Sequence, residues 1–258
     1  MYYNKITGAE RDEEALDADD EQIAGFASRG TPSSTRTAVR RRAGRGRYQR
    51  ETIDAILDEG VVGHVAFVVD QQPYAMPMLY GRDGDVLYLH GSPLSRLLGS
   101  LAGGVSLCFT VTLLDGLVLA RSAFHHSVNY RSVVVLGSAY PVRDREAKHA
   151  ALRTIVDHVV PGRSADARGP NDQELDATEV VALRLDEASA KVRTGPPVDA
   201  GEDYVLPVWA GELPLRLTVG EPLADARCTV STPDYVRDYN RVGRRSHGGE
   251  VAGGRGDA

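Results

Sequence analysis

Cysteine is almost absent: Cys108, inside an apolar run, and Cys228, in a polar tail, are the only two. They supply neither a disulfide framework nor a thiolate metal cage, and this composition suits a reducing cytoplasm. Long hydrophobic runs are missing too. No stretch approaches the roughly 20 apolar residues that span a bilayer, and the N-terminus lacks the basic-then-apolar order of a secretory leader. A cytoplasmic protein with no membrane partner is expected. Positive charge is in deficit, 30 Lys+Arg against 36 Asp+Glu for a formal charge of -6, so any anion site has to be local and no nucleic-acid partner is expected.

Familiar catalytic signatures are missing as well. There is no G-x-x-x-x-G-K-[ST], and Gly44-Arg45-Gly46 has no third glycine after it and no strand before it, which excludes a P-loop and a Rossmann fingerprint. Without H-E-x-x-H or G-x-S-x-G, zinc proteases and serine hydrolases of the elbow type are excluded.

What is present divides into an acidic N-terminal extension (1–35) expected to be disordered, a domain over 36–222, and an Arg/Gly-rich flexible tail over 223–258. The basic run Arg36, Arg40, Arg41, Arg42, Arg45, Arg47, Arg50 lacks interleaved aromatics and reads as a solvated arm packed along the domain. Ile53, Ile56 and Leu57 share one face and predict a helix over 49–59 stopped by Gly60. Strands are expected over 61–69, 73–80 and, after a turn at Gly81-Arg82-Asp83-Gly84, 85–90, as an antiparallel meander.

Ser92-Pro93 signals a helix start with Leu94, Leu97, Leu98 and Leu101 as its buried face, ending at Gly103-Gly104. A hairpin around Asp115-Gly116 should join strands 105–113 and 117–124, followed by a strand over 130–142. Asp144 predicts the cap of a helix running to Val160, with Ala151, Ile155, Val156 and Val159 inward, and Asn171 with Glu174 a capping box. Val181, Leu183 and Leu185 alternate as in a half-buried strand, and 204–219, broken by Pro207, Gly211 and Pro214, reads as edge or bulged strands. The fold class is mainly β with a few helices, closed as a barrel.

The chemistry concentrates in Tyr88-Leu89-His90-Gly91-Ser92-Pro93-Leu94-Ser95-Arg96. A strand ends in histidine, and serines and an arginine follow at a helix start, where free N–H groups favour an anion; capping alone explains the same residues. Met76 and Met78 at period two suit a core as well as a ligand surface, and Trp209 suits a packing anchor. His125 and His126, adjacent on a strand-like segment, should point to opposite faces and not share a metal ion.

The runs Gly60-Val61-Val62-Gly63-His64-Val65-Ala66, Pro73-Tyr74-Ala75-Met76-Pro77-Met78, Tyr88-Leu89-His90-Gly91 with Ser95-Arg96, Thr110 to Ser122, His125-His126-Ser127 to Ser132, Lys191 to Pro197 and Val208-Trp209-Ala210-Gly211 occur in this order. Together they resemble the pyridoxamine 5'-phosphate oxidase-like family, in the flavin-nucleotide-binding branch related to nitroimidazole-resistance (Nim) nitroreductases. The resemblance implies a split β-barrel that holds FMN at the interface of a homodimer. It places Met76, Pro77, Met78 and Leu79 along the isoalloxazine ring, Ser95 and Arg96 on the phosphate, and Arg131 and Ser132 near phosphate or ring. Trp209 would be a flat surface beside the flavin, and Leu89, His90, Gly91, Ser92, Asn129 and Tyr130 would complete the cofactor contacts. His90 would face the substrate and donate a proton or polarise the substrate.

Leu97 stands where family members commonly carry a second basic residue, so Arg121 or Arg131 would share the phosphate charge. The implied activity is an FMN-dependent oxidoreductase acting on a small molecule, of nitroreductase or pyridoxamine-phosphate-oxidase type, with NAD(P)H as the expected reductant. Two alternatives stay open. One is a haem-binding split barrel with His90, His125 or His126 as axial ligand, and the other a non-catalytic flavin carrier or sensor.

Overall fold

The computed structural model describes residues 29–240. In chain order the elements are β1 (Gly46–Arg47), α1 (Arg50–Glu59), β2 (Val62–Val69), β3 (Gln72–Leu79), β4 (Gly81–Asp83), β5 (Val86–Gly91), α2 (Arg96–Ala102), β6 (Ser106–Leu119) and β7 (Ser127–Ser138). Then come β8 (Tyr140–Pro141), α3 (Arg145–Val159), α4 (Arg163–Asp166), α5 (Asp172–Asp176), β9 (Glu179–Arg184), β10 (Ala188–Arg193), β11 (Gly211–Pro214) and α6 (Asp234–Arg237). The fold is mainly β, as expected, and every strand pair is antiparallel.

The strands form two sheets rather than one meander. A seven-stranded sheet runs β1-β10-β7-β6-β2-β3 with β11 added to β6, and a four-stranded sheet runs β4-β5-β9-β8. Because side chains alternate faces, Val65 and Phe67, Phe109 and Val111, Val133 and Val135, and Ala188 and Ala190 line the inner face of the large sheet, all buried. Leu87, Leu89, Val181 and Leu183 answer from the small sheet, and α1 closes the core with Ile53, Ile56 and Leu57. Each side chain of that size contributes about 1.5–3 kcal/mol on burial.

Tyr80 makes the crossing between the sheets. Fully buried, its hydroxyl lies 2.5 Å from the Leu57 carbonyl and 3.0 Å from that of Gly60. His158 of α3 donates from Nε2 to the same Gly60 carbonyl at 2.9 Å. The end of α1 is thereby tied to both sheets.

Several sequence expectations change. Gly81-Arg82-Asp83 is strand β4, not a turn, because a Cβ on Gly81 would lie 2.7 Å from the Ile155 backbone: the glycine lets α3 seat directly on the strand. The helix after β5 starts at Ser95, whose hydroxyl accepts from Leu98 N–H at 3.1 Å, while Ser92 caps only a preceding turn through Leu94 N–H. Leu94 is consequently 95% exposed rather than buried. No hairpin forms at Asp115-Gly116: β6 is one 14-residue strand, and Asp115 is an extra residue absorbed as a bulge opposite β7.

In α3 Ala151 and Ile155 are buried as expected, but His158 joins them in place of Val156, which is 40% exposed. Val180 to Leu183 are buried without alternation, since β9 is covered on both faces. Of residues 204–219 only Gly211–Pro214 is a strand, preceded by a 3-10 turn at Gly201–Val205. His125 ends another 3-10 turn, Ala123–His125, so the pair of histidines is not on a strand.

The helix of 49–59, the Asp144 cap and the Asn171–Glu174 capping box are all found. The basic arm lies along the domain, with Arg36 paired to Glu187 and β1 hydrogen-bonded to β10. Most of the expected N-terminal extension and residues 241–258 of the expected tail lie outside the described residues. Within that tail Tyr239 donates to the Val159 carbonyl at 2.8 Å, and Tyr235 bonds Asp166.

Candidate functional site

Strand β3 carries Met76, Pro77, Met78 and Leu79 at an edge of the large sheet, so one side of its backbone is left unpaired by any strand among the described residues. Met78 packs on the core, whereas Met76 and Leu79 are 45% and 44% exposed. Tyr74, two residues earlier, stacks on Phe67 with ring centroids 5.4 Å apart. Arg96, the first residue of α2, meets the same ring: Nη1 donates to the Tyr74 hydroxyl at 2.5 Å, and the guanidinium carbon lies 5.0 Å from the ring centroid. A phenol and a π-face attract a cation without neutralising it.

The three arginines expected to share an anion differ sharply. Arg131 is bound by both Glu59 and Asp115, two bonds to each at 2.5–2.9 Å, and the bonds to Glu59 and then Asp115 push its pKa up against burial, which lowers it. Arg121 donates to Asp199 at 2.9 Å, and the Asp199 carboxylate also takes the backbone N–H of Arg121 and of Ser122. Arg96 has no carboxylate partner among the described residues. The available positive charge is therefore at Arg96, beside the open edge of β3.

The other expected residues disperse. Leu89 is fully buried core. His90 and Gly91 end β5 in the small sheet, and burial lowers the His90 pKa. Asn129 is buried in a network, donating to the Gly195 carbonyl and Glu212 while Arg193 donates to its oxygen. Tyr130 pairs with Arg193 across β7 and β10, and the Ser132 hydroxyl donates to the Lys191 carbonyl at 3.3 Å. Trp209 is 68% exposed just before β11. Residue reading passed over Tyr74, Glu59, Asp115 and Asp199 as partners, because each meets its arginine across 16 to 78 positions of chain and no local pattern marks such a pair.

A separate cleft of about 840 Å³ lies between α1, α3 and the segment through Tyr235 and Tyr239. Of its arginines, Arg82 and Arg131 are matched by Asp58, Glu59 and Asp115, while Arg153 also lines it.

A family model described as pyridoxamine 5'-phosphate oxidase matches residues 49–192, more than half of the chain. The chain belongs to the pyridoxamine 5'-phosphate oxidase family. Two solved structures extend the likeness over nearly the whole of their own lengths. The flavocytochrome Anf3 from Azotobacter vinelandii is 41% identical with a TM-score of 0.77, covering 81% of this chain and 98% of that one. The FAD and heme binding protein from Mycobacterium smegmatis is 38% identical with a TM-score of 0.73, covering 77% and 98%. No curated protein sequence matches. Family membership agrees with the motif resemblance, and among the described residues no helix is long and apolar enough to cross a membrane.

Proposed function

We propose that this family member is a flavin- and haem-binding oxidoreductase, with FAD in place of the FMN expected from motifs and with haem in addition to the flavin rather than instead of it. The observation that carries the flavin half is Arg96, an uncompensated cation stacked on Tyr74 beside the unpaired edge of β3. An edge strand offers N–H and C=O groups to the polar rim of a flavin, and the arginine offers charge-assisted bonds to its phosphate. The haem half is supported by the two relatives at 41% and 38% identity, one titled a flavocytochrome and the other an FAD and heme binding protein.

When bound, a flavin supplies one- and two-electron transfer and a haem iron one-electron or dioxygen chemistry. The chain's own contribution is to orient and to exclude water. The Met78 side would support a ring from the core, Arg96 and Ser95 would hold the phosphate end, and His90 would be the proton-transfer residue beside the substrate. A small-molecule substrate and NAD(P)H as reductant are part of the proposal.

A homodimer is proposed as well. Val62, Val68 and Leu79 expose 44–54% of their surface on the outer face of β2 and β3, where a second copy would cover them.

The test is the visible spectrum of untagged purified protein, with the released flavin identified by chromatography and haem assayed as its pyridine complex. FAD and haem in the same preparation support the reading. A colourless protein that takes up neither on reconstitution overturns it.

A further inference from the structure

The turn after β6 and the turn before β11 meet at one carboxylate. Ser122 caps the first of them, Ala123–His125, accepting from Phe124 N–H at 3.2 Å. Asp199, two residues ahead of the Gly201–Val205 turn, accepts on Oδ1 from the backbone N–H of Arg121 at 2.8 Å and of Ser122 at 3.4 Å, and on Oδ2 from the Arg121 guanidinium at 2.9 Å. Its side chain is wholly excluded from solvent. These bonds fix how the carboxylate points. Oδ2 accepts only one of them, and a carboxylate oxygen has two lone pairs, so one is left over.

His125 ends the first turn and Asp203 lies in the second. One ring nitrogen of His125 and one oxygen each from Asp199 and Asp203 lie within 4.8 Å of one another. They do not satisfy each other: no hydrogen bond or ion pair joins His125 to either carboxylate, and its Nδ1 is buried with no hydrogen-bond partner among the described residues. A buried nitrogen with nothing to bond is costly, and folded chains rarely keep one without a reason. Nitrogen and oxygen donors about 2.0–2.2 Å from a shared ion stand roughly 3.3–4.4 Å from each other. The three donors are thus too far apart to bond directly and close to the spacing that an ion between them imposes. Asp203, half-buried on a short turn, is free to close the difference.

The donor set selects the ion. An imidazole nitrogen suits a transition ion rather than magnesium or calcium, which take oxygen alone. Two carboxylates against the single charge of Arg121 leave one negative charge for a divalent cation to meet. The bonds from Arg121 and Ser122 to Asp199 are of the kind that orient a ligating carboxylate from outside. The cleft beside α1 and α3 has no such set, since Asp58 and Glu59 are paired with Arg82 and Arg131, and Asp157 accepts from both the backbone N–H and the hydroxyl of Ser164.

We propose that His125, Asp199 and Asp203 bind a divalent first-row transition ion of the zinc type, which fastens the Ala123–His125 turn to the Gly201–Val205 turn and keeps a fourth position for water. The site stands apart from the flavin and haem of the proposed function and does not rest on them. The test uses the untagged full chain, freed of metal by a chelator, as wild type, His125→Ala, Asp203→Asn and, for the neighbouring ring, His126→Ala. Zinc is titrated by calorimetry and cobalt by difference absorption, with circular dichroism as the control for folding. Wild type should take up one zinc per chain and gain thermal stability from it. His125→Ala and Asp203→Asn should each weaken zinc by more than about tenfold, the low end of what loss of even an outer-shell partner costs, and His126→Ala should keep the wild-type affinity.

If wild type binds zinc no better than His125→Ala does, the proposal falls. It falls equally if Asp203→Asn binds as wild type does, or if His126→Ala loses the ion, which would place the donor on the exposed ring. Should His125→Ala fail to fold, Asp203→Asn and the cobalt bands decide: weakened binding with bands from a nitrogen donor sustains the site, and bands of oxygen coordination alone overturn it.

Discussion

Arg131 grips Glu59 with both terminal nitrogens, at 2.5 and 2.8 Å, and so fastens the middle of β7 to the last residue of α1. Asp115 occupies the remaining side of the same guanidinium. All three side chains are between 12% and 22% exposed, which makes the cluster a structural clamp. Arg131→Leu leaves two carboxylates facing each other without a cation. A loss of about 2–4 kcal/mol is expected, somewhat below the full cost of breaking a buried pair because water reaches the edge of the cluster. Urea unfolding measures it, and a loss under about 0.5 kcal/mol, the range of an ordinary surface substitution, would show that the clamp is idle.

Arg96→Ala should behave oppositely. With only a tyrosine as partner it has little stability to lose, while a nucleotide phosphate would lose a charge-assisted bond of about 1.5–3 kcal/mol, roughly tenfold to 150-fold in affinity. Riboflavin, which has no phosphate, should bind the variant and wild type alike. Titration of FAD, FMN and riboflavin into both proteins gives the comparison, and equal losses for all three would remove the phosphate role.

Asp199 has a side chain fully excluded from solvent. Burial by itself would raise its pKa, but the bonds from the Arg121 side chain and from the backbone N–H groups of Arg121 and Ser122 outweigh it and hold the carboxyl below its ordinary range. Its stabilisation is therefore present above the unfolded value of about 3.9 and is lost as pH falls through the lower folded value. Asp199→Ala should cost about 3–5 kcal/mol at neutral pH and detach the Gly201–Val205 turn, read as faster amide exchange at Arg121 and Ser122. Unchanged exchange would mean that other contacts hold the turn.

His90 gives a second pH signature. Its folded pKa is lowered by burial, so the folded chain binds this proton less readily than the unfolded one. No penalty exists above the unfolded value of about 6.5. Below it stability falls as the pH drops toward the folded value. His90→Leu should flatten this limb between pH 7 and 5, and parallel thermal midpoints for variant and wild type over that range would argue that the ring is freely solvated.

Gly63 lies under the Phe109 ring, and a Cβ there would come within 2.1 Å of it. Gly63→Ala forces a fully buried aromatic of the core to move. A cost at or above the usual 1–3 kcal/mol for overpacking is expected, and Phe109→Leu in the same chain should recover part of it.

Legibility from sequence followed the range of the interactions. Helix α1 and the two caps at Asp144 and Asn171 were readable because their signals lie within four residues of one another. The strand content was readable for the same reason. Strand order was not, since Tyr80 sends the chain into a second sheet at a point where Leu79 and Gly81 look like one continuous run. Two serines offered a cap before α2, and only the packing of Leu97, Leu98 and Leu101 selects Ser95. Arg96 could be named as a candidate from its neighbours in sequence. The neutralisation of Arg121 and Arg131 came from residues far along the chain and could not have been.

The bulge at Asp115 acts as a change of reading frame. Before it the odd-numbered residues of β6, Phe109 and Val111, face the core; after it the even-numbered Val118 and Ala120 do, while the partner strand keeps one parity from Asn129 to Val135. Removing that single residue would leave the pairing regular and turn the outer third of the strand over, Val118 to water and Leu117 and Leu119 inward. Everything downstream, from Arg121 through the histidine turn, would then be delivered to the wrong side of the sheet.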